Sequence, residues 1–361
     1  MTRALIIDAG GKLWGSERAL LDLIDVLSAI EIAVCCPPRM PLTSELERKR
    51  IRTLPYYIYE LHEKSKIRRL QAAGGVIRAC VEFRPDVIYL NQCGSYKVAL
   101  PAATILNLPI VAHIRIFEDA AYLAMQNPNP CRLRGIIAIS SAVEKEIRRF
   151  HELDSIQCHM VYDGYARAVF ADNNNIRTPA CNRIACVGRI APIKGQDILI
   201  NALSVLTDLG KAGECMFVGD GHQRFVHHLR HMAVHPNSSF LIKWLGFVSD
   251  VRSLLKTCSI LVCPSHKEPL GRVILEAWDA GVVPVVFSGS AGAAEIVSAA
   301  QGGILYHEQT PPSLAGALCR GLELDLASRE QLVKNGRSWV GRNCDLNAYG
   351  KTISAILRNA A

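Results

Sequence analysis

Glu268-Pro-Leu-Gly-Arg-Val-Ile-Leu-Glu276 sets two carboxylates, with seven residues between them, across a junction between a loop and a helix. Just before it, Cys258 to Cys263 is a short apolar run that reads as a buried strand, and Pro264 to Pro269 is polar and turn-forming. After it, Val273, Ile274 and Ala277 have helical spacing. A helix starting near Gly271 leaves its first backbone N–H groups without intrahelical partners. Those groups, together with the positive end of the macrodipole, favour a phosphate. Glu276 then lies one to two turns into the helix while Glu268 stays on the loop, so one acid can meet a sugar and the other a ribose. The plainer reading is two solvated carboxylates around a strand-to-helix turn.

The same grammar extends in both directions. Apolar runs at Ala4 to Ile7, Ile32 to Cys35, Asp86 to Leu90, Ile110 to Ile114 and Gly135 to Ile139 alternate with amphipathic stretches such as Ser16 to Leu27 and Ser141 to Phe150. Ala171-Asp-Asn-Asn-Asn-Ile-Arg-Thr-Pro179 is a polar, breaker-rich interruption. The pattern restarts at Arg183 to Val187 and continues through Cys215 to Val218, Ile260 to Cys263 and Val283 to Val286. Strands alternating with helices argue for parallel α/β sheets. We expect domains over residues 1–168 and 169–340, facing each other across a cleft, and a terminal helix over 341–361. In such sheets ligands bind outside the carboxyl ends of the strands.

A chain of 361 residues exceeds ordinary single-domain size, and with half its residues apolar it can build two cores. Thirteen cysteines without a CxxC pair argue against a disulfide framework or a zinc site. Met-Thr-Arg-Ala-Leu-Ile-Ile-Asp does not read as a signal peptide, so the expected location is cytoplasmic. The apolar region Val98 to Ile116 is broken by Pro101, Asn107 and Pro109, so no membrane span is expected. The net charge of +8 is partly concentrated in Arg48 to Arg52 and Lys64 to Arg69. These segments suit an anionic membrane surface at the inner face of the cell membrane, or exposed helix faces beside Glu45, Glu47 and Glu63. No nucleic acid is expected, because interleaved aromatics and a recognisable binding module are lacking.

Several further segments carry possible chemistry. Val187-Gly-Arg189-Ile-Ala-Pro-Ile-Lys194-Gly195 follows the restarted strand and puts two cations on one loop, a pairing suited to a diphosphate. A surface loop with two solvated cations is the alternative. Val218-Gly219-Asp220-Gly221 permits close backbone approach to a ligand, or simply a tight turn. Near the start, Gly10-Gly11 and Trp14-Gly15-Ser16-Glu17-Arg18 follow the opening strand, with Ser16 placed to cap the next helix. His113 ends a central strand, either turned toward a ligand or satisfied in the core. His227, His231 and His235 have helical spacing, but nothing in the segment closes a metal site, so a polar helix face is expected.

Taken in order, these segments resemble the retaining nucleotide-sugar glycosyltransferases of the two-domain GT-B type, family 4 or group 1. The strongest part runs from Cys186 to Tyr306 and includes Leu-Gly-Phe247-Val-Ser-Asp250, Cys-Pro-Ser265, the two spaced glutamates and Ala294-Glu295-Ile-Val. The resemblance implies two Rossmann-like domains with a last helix, Leu346 to Leu357, crossing back to the first. It implies that Arg189 and Lys194 hold the donor diphosphate, Glu276 the ribose, and Glu268 the transferred sugar. Gly219, Gly221, Phe247 and backbone groups at Leu270, Gly271, Arg272 and Val273 belong to the donor side. Gly15 would lie under the phosphates and His113 would bond the donor sugar. No metal, no other cofactor and no protein general base is implied, and the acceptor would be a saccharide or a lipid-linked sugar of the cell envelope. Three positions depart from the pattern: Leu270 stands where an aromatic is common, Asp163 replaces Asn before Gly164, and Trp-Gly-Ser-Glu replaces Gly-Gly-x-Glu. A non-catalytic GT-B protein and a sugar-nucleotide epimerase are the other readings.

Overall fold

The computed structural model describes residues 1–56, 65–166, 182–234 and 238–361. The chain divides into two compact units, Met1–Ala166 with Cys344–Ala361, and Arg167–Asn343. The boundary expected near Val169 lies outside the described residues.

The first unit carries β1 (Thr2–Ile7), β2 (Ile30–Cys36), β3 (Arg52–Pro55), β4 (Val87–Leu90), β5 (Ile110–Ile114), β6 (Leu133–Ala138) and β7 (Gln157–Met160). They form one sheet in the order β3-β2-β1-β4-β5-β6-β7, with every pairing parallel. The second unit carries β8 (Arg183–Val187), β9 (Gly213–Val218), β10 (Phe240–Gly246), β11 (Ile260–Cys263), β12 (Val283–Phe287) and β13 (Ile304–Tyr306). Their order is β10-β9-β8-β11-β12-β13, again parallel. Helices cover both faces of a doubly wound sheet, so central strands must be apolar along their whole length. Every residue of β4, β5 and β11 is buried.

Strand order reverses between β1 and β4 in the first sheet and between β8 and β11 in the second. Loops on either side of such a reversal diverge to opposite faces, opening a crevice at the carboxyl ends. Residues 188–195 and 264–271 flank that crevice in the second unit, and residues 8–14 and 91–95 in the first.

The first core joins Ala4, Ile6, Val34, Tyr89 and Val111 to Leu20 and Leu23 of the helix Gly15–Val26. Tyr349, Ile353 and Leu357 of the terminal helix Leu346–Ala360 complete it. Asp345 caps that helix by accepting the Ala348 N–H at 2.7 Å. Gly350 lets it lie close to the first helix, since a Cβ there would stand 2.7 Å from the Val26 carbonyl oxygen. The second core gathers Ile184, Leu203, Phe217, Val262, Leu314 and Leu318. Among the described residues, no helix is long and apolar enough to cross a membrane.

Candidate functional site

In the second unit the loop after β8 is shaped before any ligand arrives. Gly195 adopts φ +67° and ends the short turn Pro192–Lys194. It also lies against the next loop, because a Cβ there would fall 2.1 Å from the Pro264 carbonyl oxygen. Gln196, almost fully buried, donates to the Arg189 carbonyl at 3.0 Å and accepts the Ala191 N–H at 3.4 Å. Arg189 and Lys194 thus project from a braced loop at the reversal point.

Lys194 forms an ion pair with Glu268 on the loop after β11. Ser265 donates its hydroxyl to the same carboxylate oxygen of Glu268 at 3.3 Å. The backbone of Glu268 is held as well: its N–H reaches the Ser290 carbonyl at 2.9 Å, and its own carbonyl accepts the Ala293 N–H at 3.3 Å. Burial opposes the charge on Lys194, but the Glu268 carboxylate beside it outweighs burial and raises the ammonium pKa. Lys194 is therefore cationic at neutral pH. Burial, reinforced by the Glu268 charge, pushes the neighbouring Cys263 thiol up to about 11, so it stays protonated.

Gly271, at φ +85°, is the residue preceding the helix Arg272–Ala280. Leu270 is buried, Arg272 and Val273 are half-buried, and Glu276 stands half-buried on the second helical turn. Ile274, Leu275, Ala277 and Trp278 face the interior. The Leu270 position, where an aromatic was noted as common, is a core position here. Phe247, just past β10, is about half exposed at 49%.

Gly219 and Gly221 do allow a close approach, but a neighbouring loop makes it. A Cβ at either position would fall 2.1 Å from a backbone oxygen, of Gly188 and of Ile190 respectively. The Gly188 N–H bonds the Val218 carbonyl and the Ile190 N–H bonds the Asp220 carbonyl, both at 2.9 Å. These glycines let the parallel ladder run on past the strand ends. Beside them opens a cavity of about 380 Å³ lined by Asp220, His227, Arg230 and Trp244, among others. Arg189, Lys194, Glu268 and Glu276 do not line it.

The histidine helix, Gln223–Met232, brings the Nε2 atoms of His227 and His231 within 3.3 Å of each other. His235 lies outside the described residues. Among the described residues, no group of three or more His, Cys, Asp or Glu side chains is placed to hold a metal ion.

In the first unit, two sequence expectations are corrected. Ser16 does not cap the first helix. Trp14 is the residue preceding it, and Glu17 reaches back to accept the Trp14 N–H at 3.0 Å, which frees the Ser16 hydroxyl to accept from Gln92 at 2.9 Å. His113 is enclosed, with 0% exposure, so its side chain presents no surface to a sugar. Its Nδ1 lies 2.7 Å from the Tyr89 hydroxyl, and burial, reinforced by Arg115, lowers its pKa well below the usual range. Its enclosure fits a core histidine, but one satisfied at Nδ1 alone: among the described residues the buried Nε2 has no hydrogen-bond partner, and it lies 3.9 Å from an Asp163 carboxylate oxygen. Gly15 is exposed, with open space where a Cβ would stand.

Charged residues to which the sequence assigned no role in binding lie around His113. Arg115 donates to both carboxylate oxygens of Asp163, at 2.6 and 2.5 Å, and to the Asn91 side-chain oxygen at 3.2 Å. Asn91 donates to Asp8 at 2.7 Å, and Tyr349 of the terminal helix donates to Asp163 at 3.2 Å. Asp at position 163 thus answers a buried guanidinium, whose charge it stabilises against burial. Glu17, with 1% exposure, has its pKa raised to about 7 by burial and then by the Asp8 charge.

The family model "Glycosyl transferases group 1" matches residues 173–339. An uncharacterized glycosyltransferase of Methanocaldococcus jannaschii is 33% identical over 276 residues, which is 70% of each chain. The lipopolysaccharide core biosynthesis glycosyltransferase LpsE of Rhizobium meliloti is 28% identical over 176 residues; the match spans 48% of this chain and 49% of LpsE. Among solved structures, Anabaena HepE in complex with UDP-glucose superposes with a TM-score of 0.83 at 21% identity, covering 99% of this chain and 100% of HepE. Residues matching the family model include both loops that carry the Lys194–Glu268 pair, and the archaeal relative extends the match over most of the chain: it belongs to the glycosyltransferase group 1 family.

Proposed function

We propose that this glycosyltransferase is a retaining hexosyltransferase of family 4. It moves a hexose from a nucleoside-diphosphate sugar, without a resident metal, to a saccharide or lipid-linked acceptor. The observation that carries this reading is the Lys194–Glu268 pair at the β8/β11 reversal, with Glu276 on the helix that follows.

Before donor binding, the pair neutralises itself and Ser265 fixes the carboxylate. A diphosphate arriving at the reversal point competes for Lys194. Arg189 and the N–H groups at the start of Arg272–Ala280 share its charge. As the bond between the anomeric carbon and the phosphate oxygen breaks, negative charge grows on the diphosphate beside Lys194 and Arg189. Positive charge grows on the sugar beside Glu268. Fixed charges aimed where charge develops lower the barrier without reorganisation. Protein cations can supply the leaving-group stabilisation that a metal gives elsewhere, so a metal is not required. Glu276 accepts hydrogen bonds from the ribose hydroxyls, and Gly15, after β1, leaves room for close approach by a ligand. Proton NMR of the product's anomeric configuration decides whether transfer retains it.

A thermal-shift panel of UDP, GDP, ADP and NAD tests the donor site. A ligand at about 100 times its dissociation constant stabilises by about 2.7 kcal/mol, or roughly 3–5 °C for a protein of this size. One nucleoside diphosphate is expected to give that rise in wild type and clearly less in Glu276→Ala. UDP is the first choice, given UDP-glucose in the fold neighbour HepE. If no nucleoside diphosphate stabilises the folded wild type, the reading fails.

The role of LpsE in lipopolysaccharide core biosynthesis supports an acceptor in cell-envelope polysaccharide, and a lipid-linked form of it would place the work at the inner membrane face. Of the two basic segments, the first is largely paired within the fold: Arg48 with Glu45, Lys49 with Asp25, and Arg52 with Glu82. Of the second, Lys64 lies outside the described residues, and Lys66 to Arg69 open the helix Lys66–Phe83, where Ile67 and Leu70 are 69% and 72% exposed beside Lys66, Arg68 and Arg69. Exposed aliphatics flanked by cations suit an anionic lipid surface. We expect co-sedimentation with anionic liposomes at low salt, weakened in Ile67→Ser/Leu70→Ser. Equal recovery of both proteins with the liposomes would remove this helix from the contact.

A further inference from the structure

Trp14 ends the loop between β1 and the first helix, on the carboxyl edge of the first sheet beside the β1/β4 reversal. It is 47% exposed, whereas Trp278 and Trp339 are buried and Trp244 stacks on Phe217. Single exposed apolar residues are ordinary. This one differs in the backbone that carries it. Glu17 accepts its N–H at 3.0 Å and its carbonyl accepts the Arg18 N–H at 3.0 Å. Upstream, the N–H groups of Gly10 and Gly11 both bond Asp8 at 3.0 Å, and the Gly11 carbonyl accepts the Leu42 N–H at 2.9 Å. Across the reversal, Gln92 donates to Ser16 and, at 2.8 Å, to Glu17. A loop whose backbone is pinned at both ends thus carries a large flat ring at the edge where such sheets bind ligands.

The ring has a charged neighbour. The exposed Lys12 ammonium lies 4.8 Å from the indole centroid, within cation–π range. The C–H face of a pyranose is apolar enough to stack on an indole, while its hydroxyls stay at the rim. A cation held over the ring face meets a negative group on a sugar that stacks there.

We infer that Trp14 is the platform on which the pyranose ring of the acceptor stacks, with Lys12 reading a phosphate or carboxylate carried by that acceptor. This rests on the glycosyltransferase reading and narrows the acceptor to an anionic saccharide. The test is acrylamide quenching of the Trp14 signal, taken as wild-type fluorescence minus that of Trp14→Phe. The probes are methyl glucoside, glucuronate and glucose 1-phosphate, at up to tens of millimolar. Both anionic probes should protect Trp14 more strongly than methyl glucoside. Whichever protects best separates a uronate acceptor from a glycosyl phosphate. Lys12→Ala should weaken the anionic probes roughly two- to fivefold, the scale of an exposed ion pair, without weakening methyl glucoside. Trp14 equally quenched with every probe overturns the platform, and equal protection by neutral and anionic probes overturns the part of Lys12. The nucleoside-diphosphate panel on the same preparation separates the two failures. Donor stabilisation with an unprotected Trp14 sinks the platform alone, and loss of both sinks the enzyme reading too.

Discussion

Lys194→Ala is expected to slow turnover by roughly 100-fold or more in a protein that still folds, since one preorganised charge stabiliser is typically worth about 3 kcal/mol of transition-state energy. The geometry gives the expectation its content. Lys194 is one of two cations on the loop after β8, and it sits against Glu268 rather than in open solvent. Its removal takes positive charge from where the diphosphate leaves, and it takes from Glu268 the partner that fixes its carboxylate. Ser265 and the backbone contacts to Ser290 and Ala293 still hold Glu268 in place, so the loss should fall on turnover more than on folding. Lys194→Arg is an informative companion, because it keeps the charge but replaces a compact ammonium with a broad planar fork. It should recover part of the rate. Glu276→Ala, one helical turn or more away from the pair, should act on donor affinity instead. Near-normal turnover in folded Lys194→Ala would remove the assigned role.

The strands that the sequence showed and those it hid divide by position in the sheet. Val87–Leu90, Ile110–Ile114 and Ile260–Cys263 are central, buried on both faces, and read as unbroken apolar runs. The four strands that no run announced, β3, β7, β10 and β13, are the four sheet edges. In Arg52–Pro55 only Leu54 is buried, and no residue of Gln157–Met160 is. An edge strand is half-solvated, so hydrophobic periodicity carries little of its signal. The site divides in a similar way. The two glutamates and the cations were legible as residue types at loop positions. That Lys194 and Glu268, 74 residues apart, are held side by side follows only from the β8–β11 pairing. Gly219 and Gly221 announced a close approach without saying that backbone would fill it. A histidine at a strand end looks the same in sequence whether it faces a ligand or, like His113, a buried guanidinium.

The largest expected loss of stability comes from a residue with no side chain. Gly195→Ala should destabilise the protein by about 3 kcal/mol or more, lowering the melting temperature by roughly 4 °C or more. Two costs add there. The left-handed backbone at φ +67° disfavours any Cβ by about 1–2 kcal/mol. The Cβ itself would lie 2.1 Å from the Pro264 carbonyl oxygen, and that oxygen is fixed by the Gln309 side chain, which donates to it at 2.6 Å. Backbone must therefore move, and the backbone in question joins the loop carrying Lys194 to the one carrying Glu268. Gly210→Ala separates the two costs, because Gly210 has nearly the same φ, +72°, but nothing within 4 Å of its would-be Cβ. That variant should lose only about 1 kcal/mol and keep its activity. Gly195→Ala should lose turnover even at temperatures where it remains folded, since widening the gap between the loops pulls the ammonium away from the carboxylate. Equal melting temperatures for the two variants would mean that the loops can part without cost, and that the closeness of Lys194 and Glu268 is not built into the fold.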